Sequence, residues 1–120
     1  MTRPSPIERG DVYWIDPNPV AGREMRNRHP FVVITSAAIN ELGLVMTVPV
    51  TAAGAYAKAR GLTVAIHGKH IVGLAVCNQI RTFDLSARVR ARSARFVERI
   101  DESASNEIVA RVLSVIDPAP

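Results

Sequence analysis

The chain has 120 residues, 48% hydrophobic and 22% charged, which excludes a disordered or fibrous protein and suits one globular domain over residues 1–120. Its net charge of +4 rests on fifteen basic residues, thirteen of them arginine, so a nucleic-acid partner is admitted; codon bias would give the same count, so none is required. The lone Cys77 excludes an internal disulfide framework, and no stretch approaches the ~20 apolar residues of a membrane span.

Short apolar, β-branched segments follow one another along the chain. D-V-Y-W-I-D (11–16), F-V-V-I-T (31–35), L-V-M-T-V-P-V (44–50), L-T-V-A-I (62–66) and I-V-G-L-A-V (71–76) read as strands, with Gly, Pro or Asn as breakers. Trp14 belongs to the first and reads as core, and Cys77 closes the last as a buried packing group. A short helical turn fits A-A-I-N-E-L (37–42). R-V-R-A-R alternates and predicts a strand face carrying Arg88, Arg90 and Arg92, followed by a short strand in R-F-V-E-R-I.

The end of the chain reads as a helix. Asp101 is its expected N-cap, Glu102 suits the positive end of its dipole, and Ile108, Val109, Val112, Leu113 and Ile116 form one apolar face. Asp117-Pro118 stops it. Residues 1–8 and 117–120 are expected to be flexible tails. The predicted fold is mainly β: a small, strongly bent antiparallel barrel with a C-terminal helix. Short strands leave edges to cover, and a homodimer is one way to cover them.

The most informative stretch is the loop P-N-P-V-A-G-R-E-M-R-N-R-H (17–29) between the first two strands. Arg23, Glu24, Arg26, Arg28 and His29 supply a proton acceptor, a proton donor and fixed positive charge, which is what cutting a phosphodiester without a metal needs. A solvated surface loop is the competing reading. Neighbouring motifs add weight: R-G-D-V-Y-W (9–14), G-R-E (22–24), V-P-V-T (48–51) and G-L-A-V-C-N-Q-I-R (73–81).

In order and spacing these four motifs resemble the PemK/MazF family of toxin endoribonucleases of type II toxin–antitoxin systems, most closely its ChpB/Kid branch. The resemblance spans roughly residues 8 to 116. It implies an SH3-like, CcdB-like barrel, a cytoplasmic homodimer, and sequence-specific, metal-independent cleavage of single-stranded RNA. Attack by the substrate's 2′-hydroxyl would leave 2′,3′-cyclic phosphate and 5′-hydroxyl ends. It implies a cognate antitoxin whose acidic C-terminal segment covers the basic groove, and DNA contact through that complex. No cofactor, metal or membrane partner is implied.

Carried onto this chain, the resemblance makes Glu24 the candidate base, with a loop-shaping salt bridge as its alternative role. The family's arginine before the proline is replaced here by His29, with Arg28 one step earlier. Either Arg28 swings in, which needs a twisted loop because neighbouring extended residues point apart, or His29 serves as the acid. Thr51 matches the hydroxyl that orients the scissile phosphate. Val76 and Asn78 stand where the Kid branch has an Arg/Asp proton-transfer pair, so that device does not carry over.

RNA contacts are expected from Arg23, Arg26, Asn78, Gln79 and Arg81. Tyr56 and Lys58, in the loop T-A-A-G-A-Y-A-K-A-R-G (51–61), interleave a stacking ring with positive charge. His67 and His70 form H-x-x-H without a further ligand at metal spacing, and no phosphate-cradling glycine loop is present. Two rival readings stand beside the nuclease. One is a CcdB-like toxin that traps gyrase, against which the chain lacks that type's Trp-Gly-Ile ending; the other is a degenerate member that only binds nucleic acid or antitoxin.

Overall fold

Alternation along the first strand sets up the two faces of the molecule. In a computed structural model describing residues 6–18, 21–23, 27–52 and 61–118, β1 (Asp11–Ile15) places Val12 and Trp14 with one hydrophobic core and Tyr13 and Ile15 with another. β2 (His29–Val33) runs antiparallel to it, pairing Trp14 with Pro30 and Ile15 with His29. After the single helical turn α1 (Ala37–Asn40), β3 (Val45–Thr51) pairs Phe31 with Pro49 and Val32 with Val48.

β4 (Thr63–His67) and β5 (Val72–Val76) form a hairpin. β6 (Arg81–Phe83), α2 (Leu85–Arg90), β7 (Ala94–Arg99) and α3 (Glu102–Ile116) complete the chain. The seven strands are antiparallel, in the order β4-β5-β3-β2-β1-β7, with β6 added along β3. β3 thus serves two partners on one edge, β6 at Val45–Thr47 and β5 at Val50–Thr51.

Each face buries its own core. On one, Val12, Val32, Val48, Val50, Val64 and Ile66 meet Ile108 and Val112 of α3. On the other, Tyr13, Ile15, Phe31, Val33, Val45 and Phe83 meet Leu85 of α2, with Phe31 and Phe83 edge to face at 5.2 Å. Cys77 is buried as expected, and burial pushes its thiol up to about 11.

The mainly β fold with its C-terminal helix is as the sequence implied, but the barrel is not closed. Among the described residues the end strands β4 and β7 do not pair. A side chain bridges the seam instead: Glu98 of β7 accepts the backbone N–H groups of Lys69 (2.9 Å), His70 (2.7 Å) and Ile71 (2.7 Å) from the β4–β5 turn. Gly68 makes this approach feasible, since a Cβ there would sit 2.7 Å from the Glu98 carboxylate.

A bulge aims Glu98 at that turn. β7 pairs Glu98 with Val12 and Phe96 with Tyr13, which leaves Val97 as the extra residue. Simple alternation would send residues 95 and 98 to opposite faces; the bulge brings Arg95 and Glu98 to the same one. Burial opposes the Glu98 charge, but the three N–H donors outweigh it and hold the carboxyl below its ordinary value. Stability from this group is therefore present above about pH 4.3, the usual glutamate value, and is lost as pH falls through the lower folded value. Glu98→Gln is expected to cost about 1–2 kcal/mol in urea unfolding at pH 7. The deficit should shrink toward pH 3, and identical midpoints at pH 7 would show that the bridge contributes nothing.

Two local expectations are corrected. R-V-R-A-R is not a strand: Asp84 caps α2 by accepting the Ala87 N–H at 3.1 Å, and the fully buried Leu85 anchors it. Arg88 therefore leaves the Arg90/Arg92 row, donating to the Asp16 carbonyl at 2.8 Å and lying 4.6 Å over the Phe83 ring. In α3 the Asp101 cap forms as read, accepting the Ala104 N–H at 2.7 Å. Its buried stripe is narrower, though: Ile108 and Val112 are inside, whereas Leu113 and Ile116 are 60% and 63% exposed.

At the N-terminal end, Ile7 packs on the second core, and Glu8 and the buried Asp11 both bind Arg99 at 2.6 Å. The rest of the expected tails, residues 1–5 and 119–120, lies outside the described residues. Within the described residues no helix is long and apolar enough to cross a membrane.

Candidate active site

The end of the charged loop is twisted just before it enters the sheet. Asn27 has φ of +65°, a left-handed conformation that asparagine tolerates better than most residues. That turn precedes Arg28 and His29, and both residues border one cleft of about 290 Å³. Both candidates for the position of the family's arginine thus border the same space.

Thr51 joins them from the next strand. Continuing the Phe31–Pro49 register by two residues sets Thr51 level with His29, and Thr51 lines the same cleft. The floor is apolar, built by Trp14, Pro30 and Val50. His70, carried on the turn that Glu98 holds, borders the cleft as well. Two histidines, an arginine and a threonine therefore border a space small enough for one phosphodiester.

His70 was not anticipated as a partner of His29. Its only signal was H-x-x-H, which points to metal chemistry, and His67 does not line this cleft. Trp14, read as core, is half-buried: it packs on the first core and also walls the cleft. Among the described residues the only ion pairs are those of Arg99, so the exposed Arg28 guanidinium is held by no carboxylate there.

The other sequence candidates fall elsewhere. Arg23 is exposed in the preceding turn. Asn78 is exposed and Gln79 half-buried in the turn after β5, and neither lines the cleft. Arg81 is engaged in the fold: it donates to the Pro17 carbonyl at 3.3 Å and lies 5.2 Å over the Phe83 ring. Glu24, Arg26, Tyr56 and Lys58 lie outside the described residues.

Residues 8–116 match the family model of the PemK-like, MazF-like toxins of type II toxin–antitoxin systems. The chain belongs to this family. It is 33% identical over 119 residues to the endoribonuclease PemK of Escherichia coli, covering 97% of this chain and 86% of that one. It is 31% identical over 107 residues to the endoribonuclease toxin ChpB of Escherichia coli strain K12, covering 87% and 92%. These relatives carry the endoribonuclease activity and leave the gyrase reading without support.

Solved structures give the same fold. The toxin superposes on MazF from Deinococcus radiodurans with a TM-score of 0.77 at 24% identity, covering 94% of this chain and 98% of that one. A mycobacterial endoribonuclease in complex with its cognate antitoxin superposes with a TM-score of 0.71 at 17% identity, covering 95% and 99%. The Deinococcus radiodurans MazE–MazF complex does so at 0.72 and 24%, covering 97% and 100%.

Proposed function

We propose that this endoribonuclease, the toxin of a type II toxin–antitoxin pair, cuts single-stranded RNA without a metal, using the substrate's 2′-hydroxyl as nucleophile. What supports the reading most is the convergence of Arg28, His29, Thr51 and His70 on one cleft with an apolar floor. A base removes the 2′-hydroxyl proton as O2′ bonds to phosphorus; the P–O5′ bond breaks and an acid returns a proton to O5′. The products are a 2′,3′-cyclic phosphate and a 5′-hydroxyl.

In this scheme Glu24 is the base and His29 the acid. Arg28 neutralises charge on the phosphorane, Thr51 orients the phosphate, and His70 adds a second N–H donor across the cleft. Arg23, Arg26, Tyr56, Lys58, Asn78 and Gln79 are assigned to RNA outside the reacting phosphate, and Arg81, engaged by the Pro17 carbonyl and the Phe83 ring, to the fold. The protein works as a cytoplasmic homodimer, silenced by a cognate antitoxin whose acidic C-terminal segment occupies the basic groove and which carries the complex to DNA.

Replacing the 2′-hydroxyl at the scissile nucleotide by hydrogen tests the nucleophile. The substituted RNA is expected to bind within about threefold of the parent and to stay uncut at that position. Cleavage at an unchanged rate would assign the nucleophile to water and overturn the scheme.

A further inference from the structure

The β4–β5 hairpin ends in a four-residue loop, 68–71, closed by the Gly68 N–H on the Ile71 carbonyl at 2.8 Å. Both ends of this loop are fixed without help from β7: His67 pairs with Val72, and Ile71 is buried in the first core. Lys69 and His70 at its tip are exposed, so water could satisfy their N–H groups. Instead Lys69, His70 and Ile71 all donate to the single carboxylate of Glu98, at 2.9, 2.7 and 2.7 Å. Three successive N–H groups converging on one anion form a backbone nest, and the tip keeps that shape while the carboxylate stays in place.

The sequence makes room for this contact in two places. The bulge at Val97 turns Glu98 toward the loop, and Gly68 lets it come close, since a Cβ there would lie 2.7 Å from the carboxylate. The φ of Gly68 is not left-handed, so its missing side chain rather than its backbone is what the contact uses. Burial opposes the charge on Glu98, but the three N–H donors, and His70 when charged, keep it a carboxylate at neutral pH. What the nest carries is His70, which borders the cleft of Arg28, His29 and Thr51.

We propose that Glu98 is a positioning residue for RNA cleavage: by binding the three N–H groups of the loop it sets His70 where it meets the reacting phosphate. This rests on His70 acting as a donor to that phosphate. A strut across the open seam is the competing role. The tip's exposed donors and independently fixed ends favour positioning, because the contact adds order mainly at Lys69 and His70.

Single-turnover cleavage tests it, with affinity read separately on 2′-fluoro RNA, which lacks the nucleophile. Glu98→Gln weakens the nest by removing the charge. Gly68→Ala leaves Glu98 in the chain and displaces its carboxylate, the flexible end of a side chain, so the fold should be kept even if Glu98→Gln were to unfold. Each variant is expected to cut about tenfold more slowly, as a misplaced group does, while binding RNA within about threefold of wild type. His70→Ala should be slowed at least as much. In that background Glu98→Gln should cost less than about twofold more, because the residue it places is gone.

A wild-type rate in Gly68→Ala or in folded Glu98→Gln overturns the proposal. So does a loss as large without His70 as with it, which would make Glu98 a strut for the whole seam. His70→Ala cutting like wild type removes His70 from the reaction and this role of Glu98 with it, and leaves the nuclease standing. No cutting by the wild type overturns both.

Discussion

Arg28→Ala is expected to lower the cleavage rate about 10²–10³-fold, the usual loss when one donor to transition-state charge is removed. Its side chain is exposed and, among the described residues, makes no ion pair, so the melting temperature should stay within a degree or two of wild type. The loss is therefore catalytic rather than structural. Arg28→Lys should recover only part of the rate, because a point charge does not reproduce a guanidinium fork on two phosphate oxygens. Cleavage of Arg28→Ala within about twofold of wild type would remove Arg28 from the mechanism and leave His29 alone at the position where the family has its arginine.

His29→Ala carries the second large effect, about 10²–10⁴-fold, as expected for a positioned acid. A leaving group that needs no proton separates roles that a bare rate loss does not. RNA with sulfur in place of the 5′-oxygen at the scissile bond leaves as a thiolate, so His29→Ala should cut it within about tenfold of the wild-type rate. If His70→Ala rather than His29→Ala is rescued in this way, the acid is His70 and the two histidines exchange roles. Rescue of neither would make His29 a structural residue at the head of β2.

Much of the fold was legible because local patterns and tertiary needs agree. β-branched runs became β1 to β5, and Asp101 capped α3 where the polar-to-apolar switch placed it. The R-V-R-A-R segment misled because alternation was taken from its arginines, while the side chain that decides its structure is Leu85, just upstream and fully buried. β6, three residues long, carries too little pattern to detect. The open seam was illegible for another reason: it depends on Glu98 reaching a turn 27 to 29 residues away in sequence, with a bulge at Val97 and a bare Gly68 to permit it.

The site divides along the same line. Arg28, His29 and Thr51 could be read as neighbours because each sits in a motif with its own spacing, and all three border one cleft, with the left-handed Asn27 just before the first of them. His70 belongs to no such motif; only the fold of the β4–β5 hairpin and the hold of Glu98 bring it to the same cleft. Arg81 shows the opposite case. Sequence offered it to RNA, yet its guanidinium is engaged by the Pro17 carbonyl and the Phe83 ring.

Metal-free cleavage is tested most directly by incubating the purified protein with a long unstructured RNA in EDTA, mapping the new 5′ ends and assaying for cyclic phosphate. Discrete cuts bearing 5′-hydroxyl and 2′,3′-cyclic phosphate ends are the predicted result. Cutting that appears only when a divalent metal is restored, or fragments with 5′-phosphate ends, would contradict it.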